Sequence, residues 1–98
     1  MKIIKTRNGN SLTLELQGRL DTLTSPELEA VINTELDGVN ELTIDCRYLE
    51  YISSAGLRVM LCAGKQMNGK GAMKVVNVND MVNEIFEITG FSEILTIE

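Results

Sequence analysis

The sequence predicts an α/β domain in which a mixed, largely parallel sheet is fed by crossover helices, and three features point there. The apolar pair Ile3-Ile4 and the alternating segment Leu12 to Leu16 meet across Asn8-Gly9-Asn10, as the arms of a hairpin do. After them, strand-like and helix-like patterns alternate, giving the order β-β-α-β-α-β-α-β. Each helical stretch also opens on a residue able to cap it. At 98 residues the chain suits one domain, spanning 1–98. Such a chain buries only about 60–70% of its unfolded surface, so the core is thin.

Ile3-Ile4 forms the first strand, and Leu12 to Leu16, alternating with Thr13 and Glu15, forms the second. A helix then begins at Ser25-Pro26-Glu27-Leu28. Ser25 is able to cap it, with Pro26 at the first helical position, and Thr24 with Glu27 offers a competing capping box. Leu28, Val31, Ile32 and Leu36 share one face, and Asp37-Gly38 closes the helix. Leu42 to Asp45 reads as a short strand, and Cys46 to Ile52 as a loop leading into Ser53-Ser54-Ala55-Gly56. The helix from Ser54 to Met67 has Leu57, Met60, Leu61 and Gly64 as its inward stripe, with Arg58 and Lys65 on the wet side. Met60 and Met67 read as core, and Ala55, Val59 and Cys62 flank the stripe. After the loop Asn68-Gly69-Lys70-Gly71, the valine-rich segment Lys74 to Val78 is a strand. Asn79 caps a third helix through Thr89, with Val82, Ile85, Phe86 and Thr89 inward and Gly90 ending it. Leu95 to Ile97 adds a last short strand.

Composition removes several function classes. The net charge is −5 and the nine basic residues are scattered, which argues against a grip on nucleic-acid phosphates. There is no histidine, so the commonest general base and metal ligand are missing, and no metal or cofactor site is expected. Cys46 and Cys62 lie too far apart for a CxxC site and read as free, buried thiols in a reducing compartment. Neither a signal peptide nor an apolar run of membrane-spanning length is visible, so the expected location is cytoplasmic, away from membranes. No coiled-coil heptads appear, and a monomer is expected.

The segment with chemistry in it runs from Asp45 to Arg58. A helix start presents unpaired N–H donors and the positive end of the macrodipole, and a serine there either caps the helix or stands exposed to modification. On spacing alone, the plain structural reading is that Ser53 caps, Ser54 sits in the first turn and Gly56 packs on a strand. No Gly-x-Ser-x-Gly elbow or phosphate-binding glycine loop is present, and without histidine no familiar catalytic triad forms, so no enzyme is expected.

Leu42-Thr43-Ile44-Asp45 followed by Tyr51-Ile52-Ser53-Ser54-Ala55-Gly56-Leu57, together with the upstream Gly18-Arg19-Leu20-Asp21, resembles the STAS domain family, specifically its anti-sigma-factor antagonists. The likeness in element order and length spans nearly the entire chain. It implies a single STAS-like fold. It also implies a serine phosphorylated by an anti-sigma factor that is itself a serine kinase, and a PP2C-type phosphatase that reverses the modification. Carried over by position, Ser54 is the phosphoacceptor, with Ser53 its rival. Asp21, Ser53, Ser54, Ala55, Gly56 and Arg58 then form the partner-binding surface. Two positions depart from the family pattern: Ser53 stands where an aspartate often precedes the acceptor, and Ala55 where a serine or threonine often follows. The same fold also serves as a docking subunit of transport or membrane-lipid ATPase complexes, where no phosphorylation is needed.

Overall fold

A computed structural model describes residues 1–98, the side chains of Glu93 and Ile94 excepted. The hairpin forms where the alternation predicts it. β1 (Lys2–Asn8) and β2 (Ser11–Leu20) pair antiparallel, from Lys2 opposite Gln17 to Asn8 opposite Ser11. Gly9 sits in their turn at φ 63, a conformation that glycine adopts without a steric penalty. Along β2, Leu12, Leu14 and Leu16 are buried while Thr13, Glu15 and Gln17 are only half-covered. Period-two alternation thus separates a core face from a wetter one.

The remaining strands are parallel. They are β3 (Glu41–Ile52), β4 (Ala72–Val76) and β5 (Thr96–Ile97), and the order across the sheet is β1-β2-β3-β4-β5. The crossovers are α1 (Ser25–Glu35), α2 (Ser54–Met67) and α3 (Asp80–Thr89), the last followed by the one-turn α4 (Phe91–Ile94). Each crossover moves one strand further in the same direction. Right-handed connections taken in one sense stack their helices on one face of the sheet. The burial pattern agrees: Leu42, Ile44 and Val75 face the core, and Thr43, Asp45 and Lys74 do not. The result is two layers around a core of β2 and β3 leucines and isoleucines, Met60 and Phe86. Among the described residues no helix is long and apolar enough to cross a membrane.

Several sequence expectations change, among them the last strand, which begins at Thr96 because Leu95 ends α4. Cys46–Ile52 is not a loop but the second half of β3. Register shifts against β2, between Glu15 and Gln17 and between Gly18 and Arg19, give β3 two extra residues. Its buried positions, Cys46, Leu49 and Ile52, therefore recur every third residue, and alternation is lost. β4 begins at Ala72 and ends at Val76, because Asn77 turns left-handed at φ 58 and gives its side-chain amide to Asp45 Oδ1 at 3.0 Å. Thr89 lies exposed at the end of α3, its hydroxyl bonded back to the Ile85 carbonyl at 2.7 Å. The inward stripe of α2 is Gly56, Leu57, Val59, Met60, Ala63 and Met67, whereas Leu61 and Gly64 are only half-buried.

That rotation of α2 has a local cause. A Cβ added at Gly56 would lie 2.7 Å from Leu20 Cγ and 2.9 Å from Ile52 Cγ1. The missing side chain lets the first turn of α2 settle onto the ends of β2 and β3. Gly56→Ala gains about 1 kcal/mol of helix propensity but overpacks the core, at a cost of about 1–3 kcal/mol. The expected result is a net loss of stability in thermal unfolding; an unchanged or higher Tm would show that Leu20 and Ile52 give way freely.

Both cysteines are free. Cys46 is buried in β3, and desolvation, assisted by the neighbouring Asp45 carboxylate, pushes its thiol up to about 12. It is a neutral, unreactive packing group. Cys62 is half-buried on α2.

Candidate functional site at the head of the second helix

Two strand ends and two helix starts meet at one end of the sheet. β2 and β3 finish side by side, with Arg19 opposite Tyr51 and Leu20 opposite Ile52. The Arg19 guanidinium lies over the Tyr51 ring, 4.4 Å from its centroid. Ser53 then leaves β3 and donates its N–H to the Leu20 carbonyl at 2.9 Å, which ties the start of α2 to the end of β2.

The two serines separate by role here. Ser53 has extended backbone and is the N-cap; its hydroxyl accepts from the Gly56 N–H at 3.4 Å, and its carbonyl accepts from Leu57 N–H at 2.9 Å. Ser54 is the first helical residue and is exposed, and its hydroxyl is bonded by none of the described residues. The cap thus occupies one hydroxyl and leaves the neighbouring one in water, above helix N–H groups and the positive end of the α2 dipole.

Across from them lies the loop between β2 and α1, organised by Asp21. Its Oδ1 accepts from the N–H groups of Leu23 at 3.0 Å and Thr24 at 3.2 Å, and its Oδ2 lies 3.8 Å from Arg19 Nε. Desolvation pushes the Asp21 carboxyl up, but the N–H groups of Thr24 and Leu23, the Thr24 hydroxyl and Arg19 together outweigh it and hold the carboxyl below its ordinary value. The expected caps of α1 are not made. The helix begins on Ser25 itself, with Pro26 one position later, and Ser25 donates its hydroxyl to the Asp21 carbonyl. Thr24 accepts from the Asp21 N–H at 2.9 Å and donates to the Arg19 carbonyl at 2.7 Å. Asp21 Oδ1 takes the two loop N–H groups ahead of the helix, the Glu27 N–H goes to the Thr24 carbonyl, and the Thr24 and Ser25 hydroxyls bond back into the loop.

Thr22, Pro26 and Glu29 face Ala55 and Arg58 across a shallow cleft of about 210 Å³. Leu23, on the lip of this loop, is 87% exposed. Of the expected surface residues, Ser53, Ser54, Ala55 and Arg58 therefore share the head of α2, and Asp21 stands on the adjoining loop. Gly56 is different: it is buried, and the backbone approach it permits is to its own chain. Sequence reasoning missed Leu23, since a lone leucine in a polar loop gives no pattern, and it missed the Arg19–Tyr51 pair, whose partners are far apart in the chain. Among the described residues no group of carboxylates and cysteines is placed to hold a metal ion.

The chain is similar to known proteins along nearly its whole length. The STAS domain model matches residues 2–98. The Bordetella bronchiseptica protein BtrV, named as an anti-sigma factor antagonist, is 34% identical over 99 residues, covering 99% of this chain and 85% of BtrV. An anti-sigma factor antagonist from Mycobacterium paratuberculosis superposes with a TM-score of 0.89 at 20% identity, over 98% of this chain and 83% of its own. Bacillus SpoIIAA is similar in its phosphorylated form, with a TM-score of 0.77 at 16% identity over 99% of this chain and 91% of that one.

Proposed function

The chain belongs to the STAS domain family, and from that premise we propose that it is an anti-sigma-factor antagonist switched at Ser54. The observation carrying this reading is the division of labour at the head of α2, where Ser53 is committed to the cap and Ser54 is free and exposed. Unmodified, the surface formed by the α2 start and the Asp21 loop docks an anti-sigma factor with serine kinase activity and so releases the sigma factor. That partner phosphorylates Ser54, and a PP2C-type phosphatase resets it. Asp21 shapes the loop that carries Leu23, an apolar contact, and Ala55 and Arg58 border the cleft beside it. The chain itself performs no catalysis and acts in the cytosol.

The modification is compatible with the fold because it leaves the cap untouched. A phosphate at the first helical position also lies where the helix dipole favours negative charge. Its effect is on the partner, which must desolvate it.

Incubation with the cognate anti-sigma kinase and ATP tests the assignment. Wild type and Ser53→Ala are expected to take up label at Ser54, and Ser54→Ala to take up none. Equal labelling of wild type and Ser54→Ala would move the acceptor elsewhere and overturn the reading.

A further inference from the structure

The outward face of α3 takes no part in the site at the head of α2. Val82 and Phe86 point into the core and Ile85 is half-buried, yet Met81 and Ile88 are 55% and 78% exposed. Seven residues apart, they lie one above the other on the same side of the helix. Alongside them runs a second row, Asp80, Glu84 and Glu87, also at helical spacing and all exposed. An apolar row flanked by an acidic one is not the pattern of an ordinary solvated helix face.

The distribution of charge sharpens this. Ahead of Val75 the chain carries nine acidic and nine basic residues and is neutral. From Val75 to Glu98 it carries five carboxylates and no lysine or arginine, so the net charge of −5 equals that of this C-terminal stretch of sequence, of which α3 is the longest element. A second copy docked here would press like charges together, and an anionic lipid surface would be repelled. A basic amphipathic helix meets both rows at once, its apolar side on Met81 and Ile88 and its cations against Asp80, Glu84 and Glu87.

We propose that the outward face of α3 is a second docking surface, for a basic amphipathic helix of a partner protein, and that it works independently of Ser54. α3 lies on the crossover beyond β4, one strand further across the sheet than α2. One helix face is a small interface, so the contact is weak and transient, with association driven by charge.

The test titrates the isotope-labelled full chain with a synthetic leucine–lysine peptide patterned as an amphipathic helix, followed by NMR. Shift changes are expected to centre on Met81, Glu84 and Ile88. Affinity should fall about tenfold in the surface variant Met81→Ser/Ile88→Ser, and by a similar factor in Glu84→Gln/Glu87→Gln. It should weaken with salt and stay unchanged in Ser54→Asp. Shifts centred on the α2 cleft, wild-type affinity retained in either double variant, self-association that depends on Ile88, or binding to phosphatidylglycerol vesicles would each overturn the proposal.

Discussion

Gly71→Ala is expected to cost about 3 kcal/mol or more of stability, the largest effect of any glycine-to-alanine change in this chain. A Cβ at Gly71 would stand 1.9 Å from the Asn40 carbonyl oxygen and 2.7 Å from its carbon. The obstacle is backbone, which has no rotamer to turn away. That same oxygen accepts the Ala72 N–H at 3.0 Å, the bond that leads into the pairing of Glu41 with Ala72. Relief of the clash breaks the bond and unseats the start of β4. Against a total stability of about 5–15 kcal/mol, that is a large fraction. Gly69→Ala is the control: Gly69 has φ 85 but open space around it, so only the left-handed strain of about 1–2 kcal/mol applies. Urea unfolding of the two variants should show Gly71→Ala well below Gly69→Ala in midpoint. Equal midpoints would mean that Asn40 moves without cost.

Phosphorylation of Ser54 is expected to weaken binding to the anti-sigma partner at least ~100-fold, about 2.7 kcal/mol. The modification adds roughly −1.5 to −2 charges to a hydroxyl that is exposed in the free protein and, under the proposed function, enclosed in the complex. Taking such a charge out of water costs several kcal/mol unless a cation meets it. Arg58, one helical turn on, is exposed and gains no burial that would strengthen a pairing in the free chain. Because Ser53, not Ser54, caps α2, the free phosphorylated chain should unfold at nearly the same temperature as the unmodified one. Isothermal titration of both forms against the partner, with a melting curve for each, checks both halves. Undiminished affinity would place Ser54 outside the interface; a large drop in Tm would mean that the loss came from the fold.

Much of this architecture was legible in the residues. The alternation of Leu12, Leu14 and Leu16 marked β2, Asn79 marked the start of α3 with its side chain accepting from Val82 N–H at 2.8 Å, and Gly90 marked its end at φ 79. These signals are local, set by one residue's own backbone preference or one face's burial. The misread stretches depended on distant partners. The second half of β3 hid because the bulges against β2 change its buried spacing from two to three. Gly71 looked like any loop glycine because the oxygen it avoids belongs to Asn40, 31 positions earlier by residue number. The caps of α1 were misplaced since the Thr24 and Ser25 hydroxyls donate to the Arg19 and Asp21 carbonyls, and the Glu27 N–H goes to the Thr24 carbonyl. At the candidate site, Ser53 as the cap and Ser54 in the first turn were legible from spacing, because a helix start is a local signal, and the Gly56 N–H bond to the Ser53 hydroxyl bears them out.

Strand order that follows chain order has a consequence for how the molecule comes into being. Every strand after the first lies beside the one made just before it, so each finds a partner already synthesised when it leaves the ribosome. The opening hairpin is the template, and each later helix-and-strand unit adds to the edge already present. Each parallel pairing, such as Leu12 with Leu42 or Leu42 with Met73, closes over one crossover unit and never over the whole chain, so every addition carries a similar entropic cost.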